Sequence, residues 1–392
     1  MIRATRKYLG LAVAGAAAYS MSTLFSAMKP VLLTRFMEQT GLAETLAGLL
    51  VAMPFAGIAA ASLIMGPWLW RMPFSRIALL FGSLLVVCEL LSAWLFGQFW
   101  LVLPVQFVSG ICVGILMGTT SRLIAKTQNP DELFGMVDMT AVLLMSFMVT
   151  AVGNSVEHWG LSGGYLCAAV ISVLFTAALF SLRTRGEQAQ DQITAAPLQI
   201  SLRPVAVIAM GMLFITFSGL GFAFMFTMAK NVGMSYDSAG NQIGVLLFVS
   251  AFACAAGGWC SARFGPVRPL LLAFFTCAVG WYGAVYATTP TLLLICLVPA
   301  IFALQFNFPI LLALAGSLDK DGRWAAVGSP IITSGFAWAA IVAGQIVSYG
   351  GLDSLAPATA SGMVVCALLL GVATLADKPT RQTSPGEADA TH

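Results

Sequence analysis

The chain has 392 residues, 59% of them hydrophobic and only 9% charged, with a mean hydropathy of +0.90. A soluble domain of that length cannot hide so much apolar surface, whereas a bilayer can, and spans of roughly 20 apolar residues leave room for about a dozen helices. The net charge is +3, but the bases sit on separate turns between apolar runs, which excludes the continuous basic surface a nucleic-acid binder needs.

The apolar pattern predicts helix 1 from Tyr8 to Met28, behind Arg3, Arg6 and Lys7. Equivalent spans follow it and no convincing cleavage site does, so it reads as a span and not a signal peptide. Its outer half, Tyr19 to Ser26, is rich in hydroxyls, and an outer loop with Arg35, Glu38 and Glu44 is expected next. Helix 2 ends at a basic turn, and helix 3 starts near Ile77 with Glu89 well inside it. Helix 4 holds Gln106 and a run of glycines four apart (Gly110, Gly114, Gly118), a spacing that lets a neighbouring helix approach closely. Asn129-Pro-Asp-Glu132 makes an inner turn and caps helix 5, which carries Asp138 in its second turn and is expected to end near Gly153-Asn154. Helix 6 ends at Arg183, and the polar stretch 184–203 reads as a linker.

The second half repeats the plan. Helix 7 has a phenylalanine series that includes Phe222 and Phe226 and ends at Lys230. Helix 8 leads to a second basic turn, and helix 9 ends near Ala287. Helix 10 holds Gln305 and Asn307 between Pro299 and Pro309. Asp319 to Arg323 forms the inner turn before helix 11, whose end, Gly344-Gln345, echoes Gly153-Asn154. Helix 12 begins near Ser354, and the tail after Asp377 is polar.

Alternating these spans from a cytoplasmic N-terminus puts sixteen of the 19 bases inside and only Lys29, Arg35 and Lys230 outside. That bias follows the positive-inside rule and predicts both termini in the cytoplasm; the expected setting is the cytoplasmic (inner) membrane of a bacterium. The eight cysteines lie in or beside apolar runs and read as small buried hydrophobes; with no CxxC spacing and two histidines, neither a metal site nor a disulfide framework is expected. No cofactor is implied. Neither a Walker A pattern nor a nucleophile–base constellation is present, so ATP drive and catalysis are not expected.

The two basic turns match. Gly66, Arg71 and Arg76 recur as Gly258, Arg263 and Arg268, each 192 positions on. This spacing resembles the loop between helices 2 and 3, and again between helices 8 and 9, of the major facilitator superfamily, with the pattern G-x-x-x-[DE]-R-x-G-[RK]-[RK]. The second copy keeps the second glycine, Gly265; the first has lost it, and Trp70 and Ala262 stand where the acid belongs. The resemblance implies an all-α membrane protein of twelve transmembrane helices in two pseudo-symmetric six-helix bundles. Residues 1–183 and 204–376 are the expected bundles, 184–203 the cytoplasmic linker and 377–392 a cytoplasmic tail. A second echo, Phe25 to Val31 against Phe226 to Val232, places Lys29 and Lys230 at the ends of equivalent helices.

By the same resemblance the protein is a monomeric secondary transporter that moves a small solute by alternating access, with helices 1, 4, 7 and 10 around the cavity. The cavity candidates are then Tyr19, Ser22, Ser26, Gln106, Phe222, Phe226, Gln305 and Asn307, and each polar one has interhelical hydrogen bonding as its alternative role. The four arginines are expected to brace helices across the inner face, or to set topology alone. Two departures matter: Gln106 replaces the arginine of an R-x-x-x-G pattern in helix 4, and Ala151 to Val156 replaces the G-P-x-x-G-G signature of drug–proton antiporters. Glu89 reads either as a proton carrier or as a neutral acid bonded to a neighbouring helix, since an unpaired charge there is costly. Asp138 is expected to contact an inner-loop arginine, with proton coupling as the alternative. Lys29 and Lys230 either snorkel or hold an anion between the halves. An organic anion moved with protons is the favoured substrate class; efflux of amphipathic compounds and a non-transporting sensor are the alternatives.

Overall fold

The computed structural model describes residues 8–40, 44–65, 69, 71–182 and 200–376. Among these the regular structure is entirely helical. The long helices are α1 (Leu9–Thr40), α2 (Glu44–Ile64), α3 (Phe74–Leu95), α4 (Phe99–Ala125), α5 (Pro130–Leu179), α6 (Leu202–Asn231), α7 (Tyr236–Phe264), α8 (Val267–Val285), α9 (Pro290–Gly316), α10 (Arg323–Gly350) and α11 (Leu355–Leu375). Ten helices among the described residues are long and apolar enough to cross a bilayer, and the shorter apolar segment Ala52–Ile64 lies in α2.

The count is therefore eleven continuous runs where twelve spans are expected, and α5 accounts for the difference. Its 50 residues would reach about 75 Å as one straight helix, more than twice a hydrocarbon core of about 30 Å. Gly160 breaks it, with φ 68° and ψ −164°, a conformation that favours glycine because a Cβ there meets the backbone. The break comes later than the sequence suggests: Gly153 is helical and the turn is at Gly160. Gly351 ends α10 in nearly the same conformation, φ 72° and ψ 179°, so the duplication is visible in the backbone as well as in the basic turns.

Helix α1 differs too. It continues to Thr40, past Pro30, where the apolar pattern stops at Met28 and predicts a loop. Val31, Leu32, Leu33, Phe36 and Met37 recur at helical spacing among polar residues, so the segment propagates as an amphipathic helix. Lys29 is thus inside a helix, eleven positions before its end, while Lys230 lies in the last turn of α6. The two lysines do not end equivalent helices.

Exposed side chains are as apolar as buried ones. On α3, Leu80, Leu84, Val87, Leu91 and Trp94 form one exposed stripe at i, i+4, i+7, i+11 and i+14. In water such a patch would drive association; in lipid it is the normal outer surface of a span.

Small residues set the close helix contacts. A Cβ on Gly57 of α2 would fall on the carbonyl oxygen of Phe107, and one on Gly110 of α4 on that of Pro54. The C-terminal half repeats the contact, where a Cβ on Gly257 of α7 would fall on the carbonyl oxygen of Phe306 in α9. The glycine series of α4 therefore does what its spacing implies and seats α2 against α4 backbone to backbone.

Candidate functional site: the interface between the two helix groups

The most extensive contacts between the N-terminal and C-terminal helices are those of α2 with α10 and α5 with α7, and α4 on α10 and α9 on α5 add to them. In the first, Phe55 packs on Phe336 with centroids 6.3 Å apart. In the second, a Cβ on Gly258 would fall on the carbonyl oxygen of Asp131 and lie 3.2 Å from the Cα of Gly135, while a Cβ on Gly135 would lie 2.7 Å from the carbonyl oxygen of Cys254. The first motif-like glycine of the second basic turn is thus the point where the two backbones meet. The hydroxyl of Ser261 donates to Asp131 at 2.5 Å. Arg122, buried at the end of α4, donates from Nε to the carbonyl oxygen of Asp321 at 3.0 Å. The turn it grips is itself rigid, since Asp319 accepts the backbone N–H groups of Arg323 and Trp324 at 3.1 Å and pairs with the Arg323 guanidinium.

Apart from the Phe55–Phe336 contact, which lies midway along α2 and α10, these contacts lie at the end that carries Arg71, Arg76, Arg263 and Arg268, called here the basic end. The other end is open. Eighteen residues make five helical turns, so Gly153 shares the face of Gly135 on α5, and Gly240 shares the face of Gly258 on α7. Gly135 and Gly258 are crowded, whereas Gly153 and Gly240 have nothing within 4 Å of a built Cβ. On α10 the carbonyl of Ala326 meets Gly118 of α4, while Gly344, again eighteen residues on, faces open space. The helices that touch at the basic end diverge away from it.

The sequence candidates fall into three groups. Tyr19, Ser22 and Ser26 form one stripe on α1, buried at Tyr19 and Ser22 and half-buried at Ser26 toward the open end. The Tyr19 hydroxyl lies 2.8 Å from Ser121 Oγ, and its ring meets Phe308 of α9 edge-on at 6.5 Å. Phe222, Phe226 and Lys230 form a stripe on α6, the rings half-buried and the lysine exposed. The side chain of Lys29, like Gly66, lies outside the described residues.

The two amides of α9 separate. Residues two apart on a helix do not share a face. Asn307 is seven positions after Ala300 and shares its face, which packs on Gly280 of α8; it is fully buried and neither amide atom has a hydrogen-bond partner. Gln305 lies nearer the Phe308 face, which meets α1, and is half-buried.

Gln106 and Glu89 belong to the N-terminal helices alone. Ser109 donates to Glu89 Oε1 at 2.5 Å, and Gln106 Nε2 lies 3.5 Å from Oε2 and 2.9 Å from Ser92 Oγ. Asp138 is buried at 3% exposure, but no arginine among the described residues reaches it, contrary to expectation; the Cys254 thiol of α7 faces its carboxyl and Oδ2 has no hydrogen-bond partner. Arg71, Arg76, Arg263 and Arg268 are exposed, and Arg263 stacks over Trp259 and Phe264 of its own helix at 5.6 and 5.9 Å. Gly265 ends α7 with φ 74°.

Sequence reasoning missed Arg122, Asp131, Ser261 and Gly135 as the residues that join the halves. One signal was present: the basic turns lack their acid, and Asp131 supplies a carboxylate next to Ala262 through Ser261.

A family model for the major facilitator superfamily matches residues 11–318. The chain belongs to the major facilitator superfamily. Solved structures of similar fold include the proton:xylose symporter XylE bound to 6-bromo-6-deoxy-D-glucose, at 15% identity and TM-score 0.70 over 94% of this chain and 93% of that one. The transporter FucP in the outward conformation matches at 12% identity and TM-score 0.67 over 93% and 98%. The human organic anion transporter MFSD10 matches at 14% and 0.68 over 94% and 99%. At these identities the likeness is one of fold. No curated protein sequence matches the chain. Membership makes the protein an integral membrane protein of a transporter family, and its helices have the architecture of that superfamily.

Proposed function

We propose that the protein is a secondary transporter that moves a small organic solute by alternating access, with residues 1–183 and 204–376 as the rocking halves. The observation that carries this reading is the asymmetry of the interface: backbone contact at Gly135 and Gly258, open space eighteen residues away at Gly153 and Gly240. With the basic end in the cytoplasm, as the positive-inside rule has it, this is an outward-open state, and both termini are cytoplasmic in the inner membrane.

The substrate site lies where the α1 stripe, the Phe222 and Phe226 face of α6 and Gln305 of α9 converge above Tyr19 and Phe308. Its polar groups are hydroxyls and an amide, and its walls are aromatic. Lys230 at the rim favours an organic anion with an apolar body, and protons are the coupling ion. Efflux of an uncharged amphipathic compound is the second reading, favoured by the half-buried rings of Phe222 and Phe226. Purified protein in proteoliposomes with an imposed pH gradient tests the proposal. Accumulation of an organic acid that collapses with the gradient supports it; accumulation of lipophilic neutral compounds alone favours the second reading; no flux with any panel member, from correctly inserted protein, refutes transport.

A further inference from the structure

Among the described residues two acids, Glu89 and Asp138, are buried in spans, and they sit in different mechanical settings. Glu89 lies among α3 and α4, and both its oxygens face donors from α4, Ser109 and Gln106. Those helices move together when the halves rock, so its surroundings are the same in every state. Asp138 lies three residues beyond Gly135, on the face of α5 that meets α7. Its partner is the thiol of Cys254, four residues before Gly258. The carboxyl is therefore enclosed one turn from the backbone contact that closes the basic end, and Oδ2 is left without a hydrogen bond.

We propose that Asp138 is the carboxyl that links proton binding to closure of the α5–α7 contact, and so the coupling group of the transport cycle; this rests on the alternating-access reading. The titratable groups facing it are Tyr19 from α1 and Cys254 from α7. The other helices packed on α5 (α3, α4 and α9) bring it no charged or titratable partner among the described residues. Without a cation beside it, a carboxylate enclosed there keeps its full desolvation cost. The protonated acid suits the closed contact, and the carboxylate suits a contact parted and filled with water. The open end, toward which α5 and α7 diverge, supplies the proton to the carboxylate; the O–H bond breaks when the contact parts, and the proton leaves to water on the basic side.

Acid therefore closes the basic end and base opens it. The test needs no substrate. Spin labels replace the exposed Lys126 and Lys320, one on each half at the basic end, in protein whose partly exposed Cys167, Cys260 and Cys296 are changed to serine. Distances are measured in nanodiscs between about pH 5 and pH 9, a range wide enough to cover a buried acid's titration. The wild type is expected to move from a short to a long population as pH rises. Asp138→Asn should hold the short population throughout, Glu89→Gln should titrate like wild type, and Cys254→Ala should move the midpoint by about 0.5 pH unit or more. An Asp138→Asn protein that titrates like wild type overturns the proposal, as does loss of the transition in Glu89→Gln. If the asparagine variant does not fold, an unmoved midpoint in Cys254→Ala overturns it instead. Failure to find any transported solute leaves these readouts intact, so the two readings fail separately.

Discussion

Substituting Gly258 by valine tests the geometry of the interface directly. The new Cβ falls on the carbonyl oxygen of Asp131 and lies 3.2 Å from the Cα of Gly135. Both obstacles are backbone of α5, so no rotamer change relieves the clash. Overpacking of this kind costs about 1–3 kcal/mol, and that cost exists only while α5 and α7 touch. The ratio of closed to open basic ends should therefore fall roughly 5- to 150-fold. Hydrogen exchange read by mass spectrometry is the assay. Backbone amides in 126–135 and 317–323 should exchange faster than in the wild type, in both halves and without a drop in overall helix content. Gly153→Ala is the control: it shares the helix face of Gly135 but faces open space, so it should leave exchange at the basic end unchanged and gain stability of about 0.5–1 kcal/mol from helix propensity. A Gly258→Val protein that folds normally and exchanges like wild type would refute the inference that these glycines close the basic end.

Arg122→Ala removes the other clasp, a charge-assisted hydrogen bond worth about 1.5–3 kcal/mol, and should raise exchange in both 317–323 and 254–264, since both clasps close the same end; an effect confined to 317–323 would mean that the clasps open separately. Glu89→Ala strands Ser109 and Gln106 and should cost about 1–3 kcal/mol in thermal unfolding, whereas Glu89→Gln should cost less and preserve uphill transport. Lys230→Ala should raise the apparent KM for organic anions while leaving maximal flux near wild type, and unaltered anion kinetics would return Lys230 to a snorkelling role. Impermeant labels applied outside intact cells should reach cysteines placed in 35–44 and 231–237 and miss those in 71–76, 184–203 and 263–268; labelling of the 184–203 segment would invert the topology.

The sequence by itself determined the features that local spacing controls. Composition called for lipid-embedded helices because no soluble core can absorb so many apolar residues. The series Gly110, Gly114, Gly118 marked a face of α4 for close packing, and the 192-residue offset of the basic turns announced the duplication that Gly160 and Gly351 repeat in their backbone angles. The separation of Gln305 from Asn307 was legible too, since about 200° of helical rotation lies between them. What only the tertiary structure decided is which faces meet. Nothing local to Asp131 or Ser261 tells that they touch across 130 residues of chain, and nothing local to Asp138 tells that its neighbour is a cysteine of α7 and not an arginine. The extension of α1 past Lys29 depended on an amphipathic segment that reads equally as a loop until the helix before it is in place. Helical periodicity is a property of about a dozen consecutive residues, and so it is written in order along the chain. The partners of a buried carboxyl depend on the tilt and rotation of helices far apart in sequence, and those are set by the packing of the whole bundle.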